Sequence, residues 1–206
     1  MRSLLAGPLD QAASWLSRLG VTPGAATAAG LLVGVAAAVA AGIGQWTTAL
    51  VLWLVSRLAD GLDGPMARVT GQASPWGGYL DIVADFTVYG AFVVGCAIGQ
   101  PDARVAMLVL LLTYYVNGTA FLAFSSAVGQ IGTQTGLEDE RTHVFSRGLA
   151  EGTETIVAHS LFVGLPGAMV PLAWVFAAMV TITIAQRLVV AVRLLRDHRP
   201  SRGTSR

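Results

Sequence analysis

The sequence predicts an all-α integral membrane protein with six transmembrane helices and an amphipathic helix before them. Of its 206 residues, 54% are hydrophobic and only 12% are charged, and the mean hydropathy is +0.63, whereas soluble domains are about one quarter charged. A helix needs about 20 apolar residues to cross the hydrocarbon core of a bilayer. Six stretches meet that length, at about 23–44, 47–68, 77–99, 104–129, 147–166 and 168–195.

The first 20 residues carry apolar side chains at helical spacing, namely Leu4, Leu5, Leu9, Ala12, Ala13, Leu16 and Leu19. Asp10 and Arg18 interrupt this segment, which lacks the long apolar centre of a cleavable signal peptide. We expect an amphipathic helix that lies on the cytoplasmic membrane surface over residues 1–20. A plain polar lead-in to the first span is the alternative.

Arginine is distributed unevenly between the two ends of the predicted spans. The turns after the first, third and fifth spans contain only Asp102 and Arg104. The other ends and the C-terminal tail hold the remaining arginines that flank the membrane: Arg2, Arg18, Arg68, Arg141, Arg147, Arg193, Arg196, Arg199, Arg202 and Arg206. By the positive-inside rule, both termini are cytoplasmic. We therefore expect a multi-pass protein of the inner (plasma) membrane, a single domain over 1–206 with a disordered cytoplasmic tail at 197–206.

The stretch DGLDGPMARVTGQASPWGGYLDIVAD, residues 60–85, places four aspartates in this apolar chain. Helical spacing puts the polar and small residues of this stretch on a single face of each of two spans. They are Asp60, Asp63, Gly64, Ala67 and Arg68 on the second span, and Gly77, Asp81 and Asp85 on the third. A short loop joins the two spans, so they are antiparallel with adjacent cytoplasmic ends. The four carboxylates should therefore converge near the inner membrane boundary.

Four carboxylates at membrane depth repel one another and must be neutralised. Protonation could do this, but two divalent cations would balance the four charges better. Oxygen ligands favour Mg²⁺ or Mn²⁺ over zinc, which prefers His or Cys. Pro65 lacks an amide hydrogen and is expected to disturb the helix beside this site.

The spacing D-x2-D-G-x2-A-R-x8-G-x3-D-x3-D is complete in residues 60–85. It resembles the signature of the CDP-alcohol phosphotransferases, also called CDP-alcohol phosphatidyltransferases. The segment VTPGAAT, Val21 to Thr27, is similar to the V-T-P-N-x-x-T segment of that family, with Gly24 in place of the usual asparagine. The resemblance implies a transferase of phospholipid synthesis: an alcohol attacks the β-phosphorus of CDP-diacylglycerol, a phosphodiester forms and CMP leaves.

The resemblance also implies roles for individual residues. Asp60, Asp63 and Asp81 look like metal ligands, and Asp85 resembles the residue that both touches a metal and acts as the general base. The residues expected to contact the CDP-lipid are Gly64, Ala67, Arg68, Ser74 and Gly77. A homodimer is expected from the resemblance alone, and the other expected partners are the two substrates and membrane lipids, with no nucleic acid.

A second polar cluster precedes the fifth span. His143, Arg147, Glu151 and Glu154 lie at i, i+4, i+8 and i+11 and share one helical face. They are candidates for binding the acceptor alcohol, although internal pairing of Arg147 with Glu151 explains the pattern as well. Arg187 and Asn117, from the sixth and fourth spans, could contribute to the same pocket.

Two questions of function stay open at the level of sequence. Glycerol 3-phosphate ranks first as acceptor and an inositol phosphate or another polyol second. A divalent-cation transporter is the alternative from another class, because clustered intramembrane carboxylates also mark ion pathways. A transporter would place its acids near the bilayer midplane, whereas these acids are predicted at the cytoplasmic ends of the spans.

Overall fold

The computed structural model describes residues 2–135 and 152–197, and every regular element in these two ranges is helical. Within these ranges seven α-helices follow one another, and a single 3-10 turn connects two of them at Pro101–Ala103 and again at Pro166–Ala168. They are α1 Arg2–Arg18, α2 Pro23–Gly42, α3 Trp46–Val69, α4 Pro75–Gly99, α5 Arg104–Thr135, α6 Gly152–Gly164 and α7 Met169–Asp197.

The sequence determines where the helices of the site begin and end. Thr22 caps α2 by accepting a hydrogen bond from the Ala25 amide at 3.2 Å, and Ser74 caps α4 by accepting one from the Gly77 amide at 3.1 Å. A proline follows each cap, where its fixed φ suits a first turn. Gly71 ends the turn after α3 with a φ of +65°, a conformation open to glycine.

Close packing of α2, α3 and α4 depends on small residues. A Cβ added to Gly95 of α4 would collide with the Ala38 carbonyl oxygen of α2, and one added to Gly99 would collide with that of Ala41. Nearer the start of α2, the Ser56 hydroxyl of α3 donates a hydrogen bond of 2.7 Å to the Gly30 carbonyl. Small residues at these points let the backbones approach closely, as in other membrane helix pairs.

The buried core joins this three-helix unit to the second half of the chain. Trp53 of α3, Phe92 of α4 and Phe162 of α6 are fully buried and lie around His159, also fully buried. The ring centres of Trp53 and His159 lie 4.8 Å apart in a stacked arrangement. Helix α7 packs against α5 and α6 to close the bundle.

Among the described residues, four helical segments are long and apolar enough to cross a bilayer: Pro23–Gly42, Pro75–Gly99, Pro101–Ala127 and Pro166–Arg193. The prediction of an α-helical membrane protein is therefore confirmed, whereas this criterion alone does not establish six spans. Helix α3 is 24 residues long but carries Arg57, Asp60 and Asp63. The predicted fifth span begins at 147, outside the described residues, and its described part is the 13-residue α6.

Two local expectations have different outcomes. The predicted N-terminal helix is present as α1, and its Ala13 and Leu16 pack against Leu62 and Met66 of α3. Part of its apolar face is thus covered by protein. Helix α3 continues through Pro65 to Val69, so the proline does not end the helix. The expected local disturbance beside the site stays a prediction.

Candidate active site

Three aspartates converge where the end of α3 meets the start of α4. Asp60, Asp63 and Asp81 each offer one carboxylate oxygen, and these three oxygens lie within 4.8 Å of one another. All three residues are partly exposed, so solutes can reach them. The geometry follows from the sequence, because Asp60 and Asp63 are one helical turn apart and the loop between α3 and α4 is short.

Thr27 of α2 fixes one member of this cluster. Its hydroxyl donates a hydrogen bond of 2.7 Å to Asp63 Oδ2, and lies 3.2 Å from the Pro23 carbonyl oxygen of its own helix. A hydrogen bond to an ionised carboxylate is shorter and stronger than one between neutral groups. The orientation of Asp63 is therefore set from a third helix.

Asp85, the fourth aspartate of the signature, lies beside the cluster and has a different partner. Its Oδ1 accepts a hydrogen bond of 2.6 Å from Nη1 of Arg57, an ion pair that joins α4 to α3. The same Nη1 lies 3.5 Å from Asp60 Oδ2. Only 4% of the Arg57 side chain is exposed, against 30% for Asp85 and 22% for Asp60. Arg57 thus supplies a buried positive charge between two of the four acids.

A cavity of about 420 Å³ opens beside the carboxylate cluster. Asp63 and Asp81 form part of its wall, with Pro23, Gly24 and Thr27 from α2 on another side. All five residues predicted to contact the CDP-lipid line it: Gly64, Ala67, Arg68, Ser74 and Gly77. The glycines leave backbone exposed to a ligand, and Arg68 contributes an exposed guanidinium suited to phosphate. The structure thus brings these predicted residues together, and their role in binding remains a prediction.

The predicted acceptor residues do not gather in the same way. Arg147 and Glu151 lie outside the described residues. Glu154 is in the first turn of α6 and lines a separate, mostly apolar cavity of about 340 Å³, which excludes the four aspartates. Its wall comes from α6 and α7, including Val157, Leu161 and Met179. Within the described part of the chain, Glu154 is therefore apart from the carboxylate cluster.

Arg187, named from sequence as a possible contributor, has a defined position. Its Nη1 donates a hydrogen bond of 2.9 Å to Asn117 Oδ1, and its guanidinium carbon lies 5.6 Å from the centre of the Phe121 ring. The neighbouring Gly118 packs directly against Phe86, which follows Asp85 along α4. Arg187 and Asn117 are therefore held at the level of Asp85 in the bundle.

Sequence reasoning overlooked the structural role of Arg57 and of the Thr27 hydroxyl. Arg57 lies at i−3 from Asp60 and so on the acidic face of α3, a signal that was available. No sequence signal indicates that Asp85 is the closer partner of Arg57, because that contact depends on how α3 packs against α4. Thr27 belongs to the VTPGAAT segment, but spacing alone gives no partner for its hydroxyl.

The helical membrane fold and the carboxylate cluster together define a metal-dependent membrane protein. Residues 21–179 match the sequence model of the CDP-alcohol phosphatidyltransferases, and the chain belongs to this family. It is similar to inner membrane protein YnjF of Escherichia coli, with 33% identity over 181 residues that cover 87% of each chain. It is also similar to the phosphatidylinositol phosphate synthase of Streptomyces avermitilis, with 29% identity over 212 residues covering 93% of this chain and 81% of the relative.

Solved structures share the fold. The phosphatidylinositol phosphate synthase of Mycobacterium tuberculosis with CDP-DAG bound superposes with a TM-score of 0.72 at 23% identity, covering 89% of this chain and 92% of that one. The same enzyme in complex with manganese and citrate gives a TM-score of 0.71 at 22% identity, covering 89% and 88%. At these identities the similarity establishes the overall fold.

Family membership answers the question of class. The chain is an enzyme, a CDP-alcohol phosphatidyltransferase, and the predicted family and transferase activity are confirmed. The alternative of a cation transporter gains no support. The oxygen-only donor set of Asp60, Asp63 and Asp81 fits Mg²⁺ or Mn²⁺, and the predicted dependence on divalent cations is confirmed. The ranking of glycerol 3-phosphate as first acceptor is not supported, because the relatives named by activity are phosphatidylinositol phosphate and archaetidylinositol phosphate synthases.

Proposed function

We propose that the chain transfers a phosphatidyl group from CDP-diacylglycerol to the free hydroxyl of an inositol phosphate and releases CMP. The observation that carries this proposal is the cavity beside the carboxylate cluster, whose wall includes every residue expected to contact the CDP-lipid together with Asp63 and Asp81. The names of the relatives favour inositol phosphate over glycerol 3-phosphate as the acceptor.

The cluster residues have distinct tasks in this proposal. Asp60, Asp63 and Asp81 would hold the divalent cations, and Asp85 would contribute to the pair. Cations bound there would supply positive charge to the phosphate oxygens. Arg68 binds a phosphate of the CDP-lipid with a planar donor group. The acceptor hydroxyl loses its proton to the Asp85 carboxylate while its oxygen bonds to the β-phosphorus and the bond to CMP breaks.

The acceptor carries its own phosphate, which needs a cationic partner. Arg187 is a suitable residue because Asn117 holds it at the level of Asp85, on the α5 and α7 side of the site. Arg147, Glu151 and Glu154 remain candidates from the sequence for the outer part of this pocket. Glu154 is the weakest of these, since it faces a separate cavity.

We further propose how the chain sits in the membrane. The six predicted spans cross the bilayer, and residues 1–20 lie at the cytoplasmic surface. The membrane tolerates the charged helix α3 because its charged face points into the site. The arginine distribution favours cytoplasmic termini and a cytoplasmic entrance to the cavity. The 206 residues then form a single membrane domain with a cytoplasmic tail at 197–206, and two copies form a homodimer.

An acceptor screen tests the proposed reaction. Purified protein, CDP-diacylglycerol and Mn²⁺ are incubated separately with inositol phosphate, glycerol 3-phosphate and inositol, and CMP release is measured. We expect release that depends on inositol phosphate. Release with glycerol 3-phosphate alone would refute the proposed acceptor, and no release with a wider panel of alcohols would refute the transferase as described.

The base role of Asp85 is tested separately. We expect Asp85→Asn to remove measurable turnover. Its dissociation constant for CDP-diacylglycerol, measured by equilibrium dialysis with labelled lipid, should stay within about threefold of the wild-type value. The amide keeps the size of the side chain but cannot accept the hydroxyl proton. Retained turnover would exclude Asp85 as the base.

A further inference from the structure

Arg57 lies on the closed side of the carboxylate cluster. Counting backbone and side chain together, the residue is 7% exposed. It is absent from the wall of the cavity, which includes Asp63 and Asp81 but neither Asp60 nor Asp85. Along α3 and α4, Asp60 and Asp85 also lie farther from the connecting loop than Asp63 and Asp81 do. The four acids therefore form an outer pair that faces the cavity and an inner pair that faces Arg57.

Surrounding groups hold the Arg57 guanidinium in one place. Its central carbon lies 5.1 Å from the Trp53 ring centre and 5.0 Å from that of Tyr89, distances at which a cation is attracted to aromatic faces. Its Nη2 donates a hydrogen bond of 3.1 Å to Ser56 Oγ. Trp53 is itself fully buried and stacked on His159. These contacts suit a planar guanidinium and not the compact ammonium of lysine.

The inner acids would repel each other without this cation. Arg57 Nη1 reaches both, at 2.6 Å from Asp85 Oδ1 and 3.5 Å from Asp60 Oδ2. The contact with Asp85 uses one carboxylate oxygen and so limits rotation of the carboxyl group. The positive charge of Arg57 also opposes the binding of a cation to the cluster, because like charges a few ångströms apart repel strongly in a buried site.

We propose that Arg57 is a positioning residue, which fixes Asp85 for the transfer reaction and lowers the affinity of the four-aspartate site for divalent cations. The first half of this inference rests on the proposed function of Asp85, and the second half does not. Arg57 is not expected to touch either substrate. It acts through Asp85 and Asp60, from behind the cluster.

Two substitutions separate position from charge. Arg57→Lys keeps the charge but loses the planar group that contacts Asp85, Ser56 and the two rings together. Arg57→Gln loses the charge as well. Arg104→Gln is the matched control. Arg104 is exposed at the start of α5, and its Nε donates a hydrogen bond of 3.4 Å to the Ala97 carbonyl. Ala97 lies at the opposite end of α4 from the site.

The experiment has two readouts on full-length protein in detergent. Mn²⁺ binding is measured by electron paramagnetic resonance of free Mn²⁺ during titration with MnCl₂ alone, and kcat and KM are measured by CMP release with the acceptor that the wild type uses. We expect both Arg57 variants to lose at least about tenfold in kcat with KM for CDP-diacylglycerol within about threefold. We expect Arg57→Gln to bind Mn²⁺ at least about threefold more tightly than Arg57→Lys.

Each outcome decides one half of the inference. Wild-type kcat in Arg57→Lys or Arg57→Gln would overturn the positioning role, and Mn²⁺ affinity in Arg57→Gln equal to or weaker than that of Arg57→Lys would overturn the charge role. If Arg57→Gln does not fold, kcat of Arg57→Lys still decides the first half, and Arg57→Met replaces Arg57→Gln as the variant without the charge in the Mn²⁺ comparison. A wild type that releases no CMP refutes the proposed function, while the Mn²⁺ comparison still tests the charge role.

Discussion

Thr27 Oγ1 on α2 donates a hydrogen bond of 2.7 Å to Asp63 Oδ2 on α3. One carboxylate of the cluster between α3 and α4 is thus oriented by a residue from a third helix, close to the start of α2. Preorganised ligands bind a metal more tightly because less side-chain freedom is lost on binding. The relationship links the VTPGAAT segment to the aspartate signature, which are more than 30 residues apart.

Removal of this hydroxyl should weaken the metal site more than the fold. Thr27→Val keeps the branched shape and deletes one hydrogen bond, which is worth about 1 kcal/mol of unfolding free energy. We expect the affinity for Mn²⁺ to fall by about tenfold, as is usual for the loss of a ligand's supporting contact. Titration followed by electron paramagnetic resonance measures it. Thr87→Val is the control, because the Thr87 hydroxyl donates to the Val83 carbonyl on an exposed face of its own helix. Equal effects of the two substitutions would contradict the prediction.

Contact between α2 and α4 should be sensitive to a single methyl group. In Gly95→Ala the added Cβ would collide with the Ala38 backbone, which cannot move aside as a side chain can. We expect a loss of about 1–3 kcal/mol in unfolding free energy from overpacking. Thermal unfolding in detergent checks this against Gly164→Ala, where the added Cβ meets no atom within 4 Å. Unchanged stability of Gly95→Ala would show that the two helices are not packed as described.

Arg68 should govern binding of the CDP-lipid and not the chemistry. It lines the cavity from the last turn of α3, where its guanidinium can bind a phosphate. We expect Arg68→Gln to raise KM for CDP-diacylglycerol by at least about tenfold, with a smaller rise in Arg68→Lys, which keeps the charge. Steady-state CMP release provides both constants. Arg18→Gln, at the exposed end of α1, serves as the control, and a KM for Arg68→Gln equal to that of the control would remove Arg68 from the lipid site.

Arg187 should affect the acceptor and leave the lipid donor unaffected. If it binds the acceptor phosphate, Arg187→Gln should raise KM for the acceptor by at least about tenfold, because a charge-assisted hydrogen bond is lost. KM for CDP-diacylglycerol should stay within about threefold of the wild type. Arg193→Gln, an exposed arginine six positions later in α7, is the matched control. Equal increases in both Michaelis constants would indicate a general disturbance of the bundle and contradict the assignment.

Most of the carboxylate cluster could be predicted from sequence because it depends on local geometry. Helical spacing fixes which face Asp60 and Asp63 share, and the short loop from Val69 to Pro75 fixes that α4 returns beside α3. The same reasoning placed Asp85 near the other three but did not reveal its ion pair with Arg57. Whether a side chain turns to a neighbouring acid or to an arginine on the next helix depends on packing, which no single-helix pattern contains.

Other features lay beyond local reasoning for different reasons. Hydropathy locates α2, α4, α5 and α7 as candidate spans but does not decide whether the charged helix α3 crosses the membrane. Helical spacing grouped Glu154 with its neighbours along one face, but did not reveal that α6 turns this residue towards α7 and its apolar cavity. Local patterns could not rank the acceptors, because specificity depends on a few side chains from distant helices.

The central claim is that Asp60, Asp63 and Asp81 bind the divalent cations that the transfer reaction requires. The most direct measurement is anomalous diffraction at the manganese absorption edge, from crystals of protein that releases CMP and was grown with MnCl₂ and CDP-diacylglycerol. We expect anomalous peaks among the three carboxylates, at distances of about 2.0–2.6 Å from their oxygens, as is usual for hard cations. Active protein whose crystals show no manganese peak between these side chains would contradict the account.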